Sequence, residues 1–440
     1  MAIDQIYSTL MRRDRAAEEA LPEAVRRNVP RNGVRLVGAN ALQSSGDQTV
    51  NASTILPWLF HALGVPAALI GALVPIRESG SMLPQAFLTP LILRVRQRKL
   101  VFVTGALVQA ASVAVMAGTA ALGHGLAAGV VVLFALTTFS LGRCLCSISS
   151  KDVQGRTVPK GERGQINGLA TTASGLVAIT LGLGVRVYGG EDLSASQIAW
   201  ILAAGAVLWV LVAAVYIGIR EPVGEHPTAM ADDGPGWVRE TIALLREDRA
   251  FRHFVTVRSF LLVSSLSPPF IVSLAARSGA HGLAGLGGFI LASGLAALIG
   301  GRAFGRWADR SSRRLMTIGA GLASIVLLVL VLLVTAVDLG EGTTLAYVIF
   351  VGSYLFVTLL HTGVRIGRKT YVVDMAEGDQ RTTYVAVGNT TMGIVLLAVG
   401  ALSTALAGVD VVWALLFLAA LGLLGVLFSS RLPEVQGART

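Results

Sequence analysis

Apolar stretches long enough to cross a membrane, about 20 residues each, recur about twelve times along this chain of 440 residues. That rhythm limits the fold before any motif is read. A segment inside lipid must satisfy its own backbone groups, so repeated apolar runs of this length are helices that span a bilayer. Charged residues are 14% of the chain, against about 25% in a soluble domain. Little sequence remains outside the apolar runs for a soluble unit.

The runs fall at residues 54–75, 81–93, 100–122, 126–148, 166–188 and 198–219, then at 254–276, 283–301, 315–336, 345–364, 385–407 and 411–428. Between the sixth and seventh the rhythm stops. Residues 220–252 carry Pro222, Pro227 and Pro235 and then WVRETIALL at 237–245, which reads as a linker with a helix lying on the membrane surface. The expected organisation is an N-terminal tail at 1–50, a first bundle at 51–219, the linker at 220–252, a second bundle at 253–430 and a tail at 431–440. The N-terminal tail carries acids and bases and no apolar core, so it does not read as a secretory signal. Its residues 10–37 can form a short amphipathic helix.

A net charge of +10 raises the question of nucleic acid, and its distribution answers it. All but three of the 36 Arg and Lys, the exceptions being Arg77, Arg186 and Arg277, fall on one side when the spans are threaded alternately. Cytoplasmic loops carry this excess, so both tails are expected in the cytoplasm and no nucleic-acid partner is expected. The two cysteines, Cys144 and Cys146, lie two positions apart and point to different sides of a helix, a poor metal pair. They read as small packing residues.

The halves echo each other. Lys369, Arg381 and Gly393 reproduce the spacing of Lys151, Arg163 and Gly175, each set crossing a polar loop into a helix with paired threonines. Between the eighth and ninth runs stands GGRAFGRWADRSSRRLM. Its Gly305, Asp309, Arg310, Arg313 and Arg314 sit at the spacing of a loop signature, and the chain resembles the major facilitator superfamily of secondary transporters. Ser312 stands where that family usually has glycine. The counterpart loop in the first half, 94–99, has basic Arg94 at the acidic position. The segments PIRESGSMLPQ and RKTYVVDMAEGDQR resemble a bacterial permease group of the superfamily. The proline signature of drug/proton antiporters on the fifth helix is missing from GLVAITLGLGVRVYGG.

The resemblance implies an all-α integral membrane fold of twelve transmembrane helices in two pseudo-symmetric six-helix bundles. It implies a central cavity lined by helices one, four, seven and ten, flanked by two, five, eight and eleven. It also gives Asp309 a gating role at the junction of the bundles, with Gly305, Arg310, Arg313, Arg314 and Arg365 around it and Thr382–Thr383 as a helix start it can cap. An aspartate at a helix N-terminus meets the positive end of the dipole.

Polar groups at membrane depth are costly and mark function. The candidates for substrate binding are His61, Arg77, Glu78, Gln85, Arg258, Tyr354, His361 and Asn389. Arg77 and Glu78 read as a neighbouring pair at the outer end of the first helix. Glu78, His61 and His361 are the groups that can couple transport to protons. No nucleotide-binding, serine-hydrolase or zinc-protease motif occurs, so an enzyme is not expected and no cofactor is expected. The expected function is secondary active or facilitative transport of a small molecule, anionic or zwitterionic, across a bacterial cytoplasmic membrane by alternating access. Membrane lipid is the expected surrounding and a monomer the expected state. The alternative is a non-transporting sensor or assembly partner on the same fold.

Overall fold

The computed structural model describes residues 2–10, 13, 15–19, 23–85, 88, 92, 95–159, 166, 169, 173, 175–184, 193–222, 243–244, 246–261, 263–278, 285–336, 343–375 and 380–432. All of the surface helix expected at 237–245 except residues 243 and 244, and the loop residues Arg94, Arg163 and Arg186, lie outside them.

The described chain is helical, and its long segments group into twelve spans. The first is Val29–Thr49 followed by Ile55–Ala62. The second is Ile70–Met82, the third Arg98–Leu122, the fourth Gly125–Thr157. The fifth is described as Gly175–Gly184 and the sixth is Ala195–Ile217. The seventh runs in three pieces, Arg249–Phe260, Val263–Leu266 and Pro268–Arg277. The eighth and ninth share Gly285–Ala336, broken at Ser311. Thr344–Met375, Gln380–Val409 and Val411–Ser429 complete the set. Seven described helices are long and apolar enough to cross a membrane by length and composition alone. Their outward faces are apolar, with Phe134, Trp200, Leu332 and Leu427 exposed, as lipid requires.

One boundary differs from expectation. Residues 29–49, assigned above to the tail, form a helix of the first bundle that packs along Ala195–Ile217, with Leu36 and Ala39 buried. The first span therefore begins at Val29 and ends at Ala62, within the expected run 54–75, and Ile70–Met82 is the second. The change follows from local chemistry. Gly64 adopts φ +66° and turns the chain, Pro66 precedes a short 3-10 turn at Ala67–Leu69, and the next helix starts at Ile70.

Within each bundle the spans approach closely. A Cβ at Gly105 would lie 2.6 Å from the carbonyl oxygen of Gly142, and one at Gly142 would lie 2.7 Å from that of Gly105. Two facing glycines thus let the third and fourth backbones touch. Cys146 packs at the same seam, its Sγ 3.3 Å from the Gln109 amide nitrogen. Between the bundles, the second span packs on the eleventh and the fifth on the eighth.

Candidate functional site

The cavity starts where helices break. After Thr49 the first span leaves helical geometry, and the side chain of Asn51 accepts the backbone N–H of Ser53 at 2.8 Å. This Asx turn bridges the gap to Ile55. Arg77 donates to the Val50 carbonyl freed by the break, at 3.4 Å. The seventh span breaks in the same way ahead of Pro268 and Pro269, which cannot donate into a continuing helix. Broken helices at membrane depth are tolerated where they line a cavity. Asn51, Ala52 and Ser53 from one break and Ser265 and Pro268 from the other do so here.

The cavity lies between the bundles and encloses about 630 Å³. The second span adds Arg77, Glu78 and Ser81, with Gln85 just past its end, and the fourth adds Arg143, Ser147 and Lys151. From the other bundle come Arg258, Ser293, Tyr354, Thr358, His361, Arg365, Arg368 and Asn389. Lys151 and Arg365 are exposed and mark the mouth.

The charges are arranged unequally. In the first bundle, Oδ1 of Asp47 accepts from Arg77 at 3.2 Å and also from Arg143. One carboxylate on the first span thereby holds guanidiniums from the second and fourth. In the second bundle, Arg258 is buried and gives one Nη2–H to Oδ1 of Asn389 at 3.3 Å. Arg368 lines the same cavity, as does Glu78 from the first bundle. The Nε atoms of Arg258 and Arg368 are both buried and make no hydrogen bond. Tyr354 is held in place by Phe289, its ring edge-on at 5.3 Å between centroids.

The fold brings together Arg77, Glu78, Gln85, Arg258, Tyr354, His361 and Asn389, seven of the eight binding candidates. His61 is the exception. It sits exposed in the last turn of Ile55–Ala62, away from the cavity lining. Arg77 is not at the outer end of the first helix and its carboxylate partner at hydrogen-bond distance is Asp47, not Glu78. Of the residues grouped as a gate, Arg365 lines the cavity at its mouth. Arg313 donates to the Leu432 carbonyl at 2.9 Å, within its own bundle, and Arg314 is exposed. The side chains of Gly305, Asp309, Arg310, Thr382 and Thr383 lie outside the described residues. The turn itself is clear: Ser311 is extended (φ −162°, ψ 97°) and its Oγ accepts the Arg314 N–H at 3.2 Å, capping the ninth helix. Among the described residues no non-glycine has a positive φ, so serine at 312 meets no penalty there.

Sequence reasoning missed Asp47, Arg143, Lys151 and Arg368. Arg143 carried a readable signal, an ionisable group inside the apolar run 126–148. Asp47 was hidden in the presumed tail, and Lys151 and Arg368 lie past the ends of the apolar runs 126–148 and 345–364.

Residues 38–394 match the family model described as Major Facilitator Superfamily. No relative among the curated proteins matches the chain. Among solved structures, the nucleoside transporter NupG (D323A mutant) is 14% identical with a TM-score of 0.68, over 91% of this chain and 100% of that one. A D-xylose-proton symporter is 13% identical with a TM-score of 0.69, over 93% and 99%. A POT family transporter in complex with a thioalcohol-conjugated peptide is 12% identical with a TM-score of 0.70, over 95% and 100%. At these identities the likeness is one of fold. With the family match across most of its length, the twelve-span fold and a central cavity between the bundles, this chain belongs to the Major Facilitator Superfamily and transports a small molecule across a membrane.

Proposed function

We propose that the transported molecule carries net negative charge and occupies the cavity between the bundles, in a cycle that exposes it to each side of the cytoplasmic membrane in turn. One observation carries this reading. Among the described residues six basic side chains, Arg77, Arg143, Lys151, Arg258, Arg365 and Arg368, line the cavity, against one lining carboxylate, Glu78. Asp47 behind the wall offsets part of that excess. Buried charge without partners is costly, so a site of this sign is matched to an anion. A volume of about 630 Å³ suits a metabolite-sized solute. The fold neighbours are named for nucleoside, D-xylose and peptide, which are solutes of that size class.

Both termini and the basic loops are assigned to the cytoplasm. With Arg77 drawn into the cavity, only Arg186 and Arg277 remain on the opposite side, which sharpens the positive-inside bias. Lys151 and Arg365 then put the mouth on the cytoplasmic side. Glu78 and His361 are the cavity groups for proton coupling, and the turn with Gly305, Asp309 and Arg310 is assigned the gate. The protein acts as a carrier and not as an enzyme.

The test is a thermal-shift screen of purified protein against organic acids, amino acids, sugars, nucleosides and short peptides, followed by uptake of each radiolabelled hit into proteoliposomes. A ligand present at 100 times its dissociation constant stabilises the fold by about 2.7 kcal/mol. Acids are expected to dominate the hits and to be taken up. Uptake confined to neutral or cationic solutes would sink the anion reading.

A further inference from the structure

The cationic lining is not one uniform surface. The numbering shift that carries Lys151 onto Lys369 also carries Arg143 onto His361 and Asp47 onto Ser265. The second bundle thus has a hydroxyl at the position where the first has its carboxylate, and among the described residues no acid lines its side of the cavity. The consequence is visible in the side chains. Arg77 and Arg143 already share an internal anion, Asp47. Arg258, only 8% exposed, has a neutral partner in Asn389, and its Nε–H has no acceptor. The Nε–H of Arg368, which lines the same cavity, has none either.

A guanidinium grips an oxyanion side-on through Nε–H and an Nη–H, as two parallel bonds. Those inner donors are the ones left without acceptors on both arginines. Two like charges lining one cavity also call for an anion there. Building on the transport reading above, we propose that Arg258 and Arg368 together seat a single oxyanion group of the transported molecule, a carboxylate, phosphate or sulfonate. Asp47 fills the equivalent role in the first bundle, so the molecule is held in one polarity. Its acidic end lies against the second bundle, and its uncharged, hydrogen-bonding end lies toward Asn51, Ser53 and Gln85. The substrate class is an organic acid with a polar, hydroxyl- or amide-bearing remainder.

The experiment uses the full chain in detergent, with sulfate and gluconate as probes, xylose as the uncharged control and chloride at matched ionic strength as reference. Apparent dissociation constants are read from melting-temperature titrations. Sulfate and gluconate are expected to stabilise the protein beyond chloride and xylose. Arg258→Gln and Arg368→Gln are each expected to weaken that binding about tenfold or more, the loss of a charge-assisted hydrogen bond. Arg258→Lys and Arg368→Lys keep the charge and the fold but lose the fork, and are expected to weaken it nearly as much. Arg77→Gln, whose guanidinium Asp47 already holds, is expected to lose the smaller share. Stabilisation by sulfate that is the same in wild type and in all four second-bundle variants, or absent throughout, overturns the seat. A loss in Arg77→Gln as large as in Arg258→Gln overturns the polarity. Uptake into proteoliposomes separates the two readings. Solute uptake that survives Arg258→Gln removes the seat and keeps anion transport, whereas Arg258-dependent oxyanion binding without any acid uptake does the reverse.

Discussion

Asp47 and Arg77 meet at 3.2 Å beside the break in the first span, and the same carboxylate oxygen also takes the guanidinium of Arg143. Three spans of the first bundle are tied at one atom. Taking away one member of a buried ion pair leaves the other uncompensated, at a cost of about 3–5 kcal/mol. Asp47→Ala is therefore expected to lower the melting temperature steeply in detergent. Asp47→Ala combined with Arg143→Gln is expected to recover part of the loss, because one orphaned charge goes with it. The exposed pair of Glu23 and Arg27 is the contrast, and Glu23→Ala is expected to change little. Equal effects at Asp47 and Glu23 would refute a structural role for the triad.

The same residues show where the sequence was readable. The apolar rhythm and the basic loops revealed spans that face lipid, because lipid demands apolar side chains. The first span hides from that signal. Residues 29–49 include Arg31, Asn32, Arg35, Asn40, Gln43 and Asp47, and Asn32, Arg35 and Asp47 find their partners inside the protein. Asn32 exchanges two hydrogen bonds of 2.9 Å with the backbone of Arg220, and Arg35 donates to the Gly218 carbonyl. A helix surrounded by partners and a cavity needs no apolar belt, so a hydropathy window passes over it. Lys151 and Arg368 were concealed for another reason. Their helices run 33 and 32 residues, beyond what a bilayer core of about 30 Å requires, so residues past the apolar run still line the cavity. Arg258, Tyr354, His361 and Asn389 were legible because each interrupts an apolar stretch.

The third span begins with a borrowed cap. Glu221, just past the sixth span, accepts the backbone N–H of Arg98 at 3.1 Å and that of Lys99 at 2.9 Å. These are orphan donors of a helix N-terminus, and a carboxylate there also meets the helix dipole. Asp152 holds the Arg98 side chain at 3.0 Å and Arg156 at 3.1 Å. Glu221→Ala is expected to cost about 1–2 kcal/mol, the range for losing a helix cap. Glu221→Gln, which keeps one acceptor, is expected to fall between. A melting temperature unchanged in Glu221→Ala would show that the contact is incidental.

The bundles meet where side chains are missing. A Cβ at Gly400 on the eleventh span would collide with the ring of Pro75 on the second, and nearby Ser79 donates to the Gly393 carbonyl at 2.8 Å. Gly400→Val is expected to force the bundles apart on this side and shift the population toward the alternative state, since it penalises only the conformation observed here. A single cysteine at Ser53 reports the shift through its labelling rate from each side of the membrane. Unaltered labelling in Gly400→Val, with the protein folded, would mean that this contact persists through the cycle.

Arg313 and Arg365 are grouped with the same gate from the sequence, but their settings differ. Arg313 closes a hydrogen bond of 2.9 Å to the Leu432 carbonyl, and Thr317 one turn on meets Ser429 at 2.7 Å, so this corner staples the ninth span to the twelfth. Arg365 is exposed at the cavity mouth. Arg313→Ala is expected to cost about 1.5–3 kcal/mol of stability, the range for hydrogen bonds from charged groups, with KM close to wild type. Arg365→Ala is expected to stay within about 0.5 kcal/mol in stability while raising KM for an anionic solute and flattening its dependence on salt. Asp309→Asn, in the turn assigned to the gate, is expected to slow turnover with ligand binding kept. Measured together, KM, turnover and melting temperature sort the three residues into a staple, a mouth charge and a gate. A raised KM in Arg313→Ala with no loss of stability would reverse the first two assignments.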